Sequence, residues 1–411
     1  MMIVSADSIA QTYVQLALAV EQHVPGYIDA YFGPPEWQQQ AKSNGQRPVD
    51  ELARKAADLA AAIAADTDMG AQRRDFLARQ VRAMQTSLRM LQGEQLTLTQ
   101  EVVALYDITP EWTDEAVFEQ AHRVLDELLP PGDALTERMT TRKKATEIPA
   151  ERVESLFHEI AAELRLRTQA RFPLPSDESF ELQLVNAQPW SAYNWYLGNC
   201  RSRIDINTDL PLYITDAADL MAHEGYPGHH TELSIKESQL MREQGWTEHC
   251  LTLINTPSCV VAEGIGTRAL AALMPDDELV SWYANELFPR AGFEHLDAQN
   301  EHAINIARRK LRGVSGNAAF LLHDQNASKD RVVAYIMRYA LIESKKEASK
   351  WIDFISNPLF RSYIFTYHYG GEMLDALFAA QDDRARWFTR LLTEPVTPGQ
   401  IRAWTMGKEG T

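Results

Sequence analysis

The sequence predicts a mainly α-helical fold carrying one small antiparallel β-sheet, and three observations predict it. Apolar residues recur at intervals of three and four through most of the chain, a single stretch alternates apolar and polar residues, and Pro and Gly clusters fall between these blocks. With 411 residues, 45% of them hydrophobic and 24% charged, the chain is long enough to bury a large core.

The helices follow in order. "VDELARKAADLAAAIAAD" (49–66) is a long amphipathic run, and "TDEAVFEQAHRVLDELL" (113–129) comes next with Thr113 as its cap and Asp114 and Glu115 as first-turn acids. "AERVESLFHEIAAELRLRTQA" (150–170) and "DRVVAYIMRYALIESKKEA" (330–348) show the same period and each read as one helix. "TPGQIRAWTM" (397–406) opens with Thr397 as N-cap, Pro398 in the first turn and Gln400 completing a capping box. The clusters "VPGYIDAYFGPPEW" (24–37) and "LPPGDAL" (129–135) are expected to be loops.

The alternating stretch, 179–211, is rich in aromatics and punctuated by Pro189, Gly198 and Asn199, and it places the antiparallel sheet. "SRIDINTDLP" (202–211) is expected at its edge, where an extended peptide could pair. No regular repeat is visible, and a soft seam near 170 separates an N-terminal helical part, 1–170, from a metal-binding part, 171–411, packed as one compact unit.

Composition excludes several roles. Net charge is −17 and the densest basic cluster is the short "TTRKKAT" (140–146), so neither nucleic acid nor an anionic membrane is an expected partner. No apolar run approaches the ~20 residues of a membrane span, and the opening "MMIVSADSIA" lacks a basic n-region, which makes the cytoplasm the expected location. Cys200, Cys250 and Cys259 are too few and too irregular for a disulfide framework, and are expected to be reduced and buried.

Chemistry concentrates in "AHEGYPGHHTE" (222–232). Two histidines four apart on a helix can share one zinc while a glutamate beside the first meets the metal's water. Here His223-Glu224 would need a histidine at 227, and that position is Pro227. His229 and His230 lie six and seven residues on, which an ideal helix would separate from His223 by about 9–10.5 Å of rise, too far for Zn–N bonds of ~2.0–2.1 Å. Pro227 lacks the N–H that would bond to the His223 carbonyl and Gly228 tolerates unusual φ, so a bulge after Glu224 is expected to draw the later histidines back. The bland alternative is that Pro-Gly ends one helix and the histidines only line a turn. His158-Glu159, with Ala162 where a ligand would be needed, is an ordinary surface pair.

Glu263 is the lone charge in "TPSCVVAEGIGT" (256–267), so it must be paired, protonated or metal-bound. Arg268 is the ordinary partner. A carboxylate on a second helix is also where a third ligand is wanted: two histidines and a glutamate with one open position form a catalytic sphere rather than a closed structural one. Asp219, one turn before His223, is a candidate to orient that imidazole.

With "HEGYPGHH" at 223–230 and "EGIG" at 263–266, the chain resembles the bacterial "domain of unknown function 885" family, grouped with the zincin metallopeptidases. The resemblance spans roughly 190–380. It implies a zincin-like (gluzincin-like) helical metallopeptidase fold, His223, His229 and Glu263 as zinc ligands with His230 as the alternative, and Glu224 as general base. His323 and Tyr367, with Gly370, match further family positions and become candidate oxyanion donors. Ser315 and Ala319 stand where the family carries Arg and Asp, and Ile265 and Gly266 replace its Trp and Ala. The expected function is zinc-dependent hydrolysis of a peptide or small amide. The competing readings are hydrolysis of a non-peptide amide or ester and, because of positions 315 and 319, a non-catalytic metal- or ligand-binding scaffold.

Overall fold

The computed structural model describes residues 6–188 and 190–408, so Pro189 and the first five residues of the opening stretch lie outside it. Helices dominate. Those read from the period form at Val49–Ala65, Glu115–Leu128, Ala150–Arg171 and Pro398–Thr405. Thr397 and Gln400 close the expected capping box. The cap of the second helix is Asp114, which accepts from the Ala116 N–H, while the Thr113 N–H is taken by Asn317.

One helix expected over 330–348 is two, Lys329–Tyr339 and Lys345–Ser356. Leu341 sits between them at φ 55°, and Ser344 caps the second by accepting from the Glu347 N–H. The apolar period runs on through the break, so it carried no sign of it.

Five strands are present: β1 (Ile28–Tyr31), β2 (Ser179–Val185), β3 (Ala192–Gly198), β4 (Arg201–Asn207) and β5 (Leu251–Leu253). The alternating segment does form a sheet, but its order is β2-β4-β3 and it is mixed rather than antiparallel. β3 and β4 make the expected hairpin, turning at Gly198, Asn199 and Cys200, all at positive φ; β2 pairs parallel to β4 from Ser179↔Arg201 to Val185↔Asn207. β4 is therefore central, not an edge. Its near-continuous burial, with Ile204 and Ile206 fully enclosed, is what a central strand requires. β1, inside a stretch expected as loop, pairs antiparallel with β5.

Apolar cores cross the seam near 170: one joins Ile9–Leu88 residues to Cys250, Leu251 and Leu253, and another joins Leu98–Ile108 residues to Val260 and Phe365. All three cysteines are buried and free. No helix among the described residues is long and apolar enough to cross a membrane.

The helix Pro257–Leu273, which carries Glu263, packs against Ile364–Ala380, which carries Tyr367. Backbone meets backbone where they cross. A Cβ on Gly370 would overlap the Val260 carbonyl and stand 2.7 Å from the Gly264 nitrogen, so Gly264 and Gly370 set how closely the two helices approach.

Candidate metal centre

The helix Ile214–Glu224 ends at Glu224, where the Gly225 N–H returns to the Met221 carbonyl at 2.9 Å. The Tyr226–Pro227 peptide is cis, and a new helix, His229–Lys236, starts two residues later. Between them a Cβ on Gly228 would overlap the carbonyls of His223 and Ala222, so the chain can turn back only with glycine there. This corrects the expected bulge to a complete break. The break nonetheless brings the rings of His223 and His229 to 4.6 Å between centroids, at 86°.

Glu263 completes a cluster. One ligand atom from each of His223, His229 and Glu263 lies within 4.8 Å of the others. Glu263 Oε2 makes no hydrogen bond among the described residues and stands 3.4 Å from His223 Nε2. Donors at ~2.0–2.1 Å from a tetrahedral zinc are about 3.4 Å apart, so this edge already has the spacing of a bound ion. Glu263 is 5% exposed, and a buried carboxylate oxygen left unbonded is costly unless a cation meets it. The donor set fits zinc.

Arg268 does not neutralise Glu263; it forms a two-pronged pair with Asp375, both contacts 2.6 Å. Tyr363 holds Glu263 instead, donating to Oε1 at 2.7 Å. Burial would raise the Glu263 carboxyl, yet His223, His229 and the Tyr363 bond outweigh it and lower it. Burial would likewise depress His223, and the adjacent carboxylates of Glu263 and Glu224 raise it.

His230 is excluded as the alternative ligand. It is fully buried, with Nδ1 2.8 Å from Ser202 Oγ and Nε2 2.8 Å from Glu178 Oε2, so both ring nitrogens are engaged under the sheet. Burial lowers its pKa, which fits a neutral ring donating to Glu178 and accepting from Ser202.

Glu224 is 7% exposed, and its carboxylate has no hydrogen-bond partner among the described residues; its carbonyl accepts from Asn194 Nδ2 at 2.6 Å. Burial raises the Glu224 carboxyl, with Glu263 and Asp29 adding to the effect against the pull of His223 and His229. Tyr367 is half-buried, edge-on to Tyr363 at 5.6 Å, and its hydroxyl is unbonded among the described residues. Burial, then the charges of Glu263, Glu224 and Asp29, hold that phenol far above its usual pKa, so it stays a donor.

His323 is not brought to the cluster. It ends the helix Gly313–His323 with Nε2 2.6 Å from the Ile355 carbonyl, a structural contact. Asp219 faces Arg309 at 3.6 Å rather than His223. His158 and Glu159 are exposed on their helix, as expected of a surface pair.

Sequence reasoning missed Tyr363, although its spacing of four from Tyr367 puts both on one side of the chain. It also missed Asp29 of β1, whose carboxylate bonds the Tyr193 hydroxyl of β3 and lies 3.4 Å from Thr252 Oγ1 of β5. No local pattern marks a residue brought in from so far along the chain.

No protein-family model matches the chain, and no curated protein matches it. Among solved structures it is similar to one described as "the putative lipoprotein from Colwellia psychrerythraea", with 12% identity and a TM-score of 0.54 over 90% of this chain and 72% of that one. It also matches "a putative lipoprotein of unknown function from Shewanella oneidensis", with 13% identity and a TM-score of 0.46 over 90% and 76%. The first likeness concerns the fold alone, and the second carries no argument.

Proposed function

We propose that the chain is a zinc-dependent hydrolase of peptides or small amides, with a zincin-like site and membership of the family its "HEGYPGHH" signature resembles. One observation carries this reading: His223, His229 and the unbonded oxygen of Glu263 converge, while Glu224, next to His223, has a carboxylate with no hydrogen-bond partner among the described residues. His223, His229 and Glu263 would hold the ion, and two imidazoles with one carboxylate suit zinc, with nickel or cobalt able to occupy the same donors. When bound, zinc supplies a Lewis acid and lowers the pKa of water at the site toward neutrality.

The chain's own residues do the rest. Glu224 takes the proton of the attacking water and returns it to the leaving nitrogen. Tyr367 donates its O–H to the substrate carbonyl oxygen as charge gathers there. Tyr363 keeps Glu263 ionised and oriented through the 2.7 Å bond.

The test is Glu224→Gln. The variant is expected to retain one zinc per chain and lose hydrolysis of a peptide library by a factor of about 10²–10⁴. Turnover like that of the wild type would remove Glu224 as base.

A further inference from the structure

A row of basic residues runs beside the His223 helix. Arg308 Nη1 meets Asp216 Oδ1 at 2.8 Å and Arg309 Nη2 meets Asp219 Oδ1 at 3.6 Å, so the helix Ala298–Arg309 and its extension, the 3₁₀ turn Lys310–Arg312, climb alongside Ile214–Glu224 in the same direction. Asp216, Asp219 and His223 succeed one another at helical spacings of three and four. Arg312, three residues past Arg309, therefore reaches the level of His223.

Arg312 has no acid of its own. Its Nη1 is buried without a partner, and its guanidinium makes no hydrogen bond or ion pair among the described residues. The neighbouring charges are already committed: Arg268 to Asp375, Arg309 to Asp219, His368 to Glu372 at 3.5 Å. Burial, and then Arg268 and Arg309, lower the Arg312 pKa to about 10, Asp219 and Asp375 notwithstanding. A guanidinium so placed lacks an anion, and its charge acts on His223, whose side chain is 17% exposed.

We propose that Arg312 binds a carboxylate of the substrate beside the metal site, so the preferred substrate carries a free carboxylate close to the scissile amide. This rests on the metal-hydrolase reading above. Arginine's planar fork matches a carboxylate in two parallel bonds, and a carboxylate held there would orient the amide toward His223 and Glu224. The carboxylate can come from a chain terminus or from an acidic side chain.

The experiment is titration calorimetry on full-length, zinc-loaded Glu224→Gln protein with N-acetylphenylalanine, its carboxamide, and the α-amide of N-acetylaspartate. The acid is expected to bind at least about ten times more tightly than its carboxamide, with the preference falling to within about twofold on adding Arg312→Gln and partly kept by Arg312→Lys. Tight binding of the aspartate α-amide alone assigns the carboxylate to a side chain, tight binding of both acids admits either source, and weak binding of the α-amide assigns it to the terminus. Failure of both carboxylate ligands to bind more tightly than the carboxamide overturns the proposal, whether or not Arg312→Gln folds, as does a preference that survives Arg312→Gln with zinc content unchanged. Parallel titrations without zinc separate the two readings. Carboxylate preference in protein that takes up no zinc removes the metal reading alone, and zinc uptake without that preference removes this one alone.

Discussion

Gly370→Ala should act on the metal site from a distance. The new Cβ would overlap the Val260 carbonyl and stand 2.7 Å from the Gly264 nitrogen and 3.0 Å from its Cα, all backbone atoms that cannot swing aside. Relaxed carbon contacts need about 3.5–4.0 Å, so the two helices must part by roughly 1 Å at this point. Overpacking of this kind costs about 1–3 kcal/mol, and the better helix propensity of alanine returns about 0.5–1, for a net loss of up to about 2.5 kcal/mol. Glu263, next to Gly264, moves with its helix. Ligand distances hold only within about 0.2 Å, so zinc affinity should fall at least about tenfold. Gly371→Ala is the control, because the three atoms nearest its Cβ would all belong to the Arg268 guanidinium, at 3.0–3.2 Å, the end of a long side chain rather than backbone. Thermal melting and competition with a chromophoric chelator read both effects. If Gly370→Ala melts and binds zinc like the wild type, or if the two variants behave alike, the close crossing is not what positions Glu263.

Four further outcomes follow from the same geometry. His230→Ala should keep zinc yet lose about 3 kcal/mol or more in denaturant unfolding, because it strips a buried partner from Glu178, leaves Ser202 unbonded and opens a cavity. Tyr363→Phe should weaken zinc binding by about 10–100-fold in chelator competition, whereas Tyr367→Phe should leave zinc in place and lower kcat by about 10²–10³ in a peptide-cleavage assay. His323→Ala should leave hydrolysis unchanged and cost about 1 kcal/mol of stability through the Ile355 bond; a large fall in kcat would restore it to the site.

Much of the site was legible because its signals are local. Pro227 and Gly228 ruled out regular spacing, and Glu263 stood alone in an apolar helix, so the candidate ligands came from two short stretches, with the choice of His229 over His230 carried by the family resemblance. What was illegible is long-range. Asp29, Tyr193 and Arg312 reach the site region through strand pairing and helix packing that leave no trace in spacing. His230 was ambiguous for the same reason, since Glu178 and Ser202, which claim it, lie on or before strands of a sheet whose order no alternation pattern reveals. The parallel pairing of β2 with β4 and the break at Leu341 escaped because period-two and period-three-to-four patterns report which face is buried, not which strand lies beside which or where a helix restarts. His323 was carried by resemblance alone, and its ring is spent on the Ile355 carbonyl.

If His223, His229 and Glu263 hold one ion, zinc content after expression with zinc and exhaustive dialysis will report it. One zinc per chain is expected in the wild type and in His230→Ala, and its loss in His229→Ala. Zinc retained by folded His229→Ala, or absent from the wild type, would contradict it.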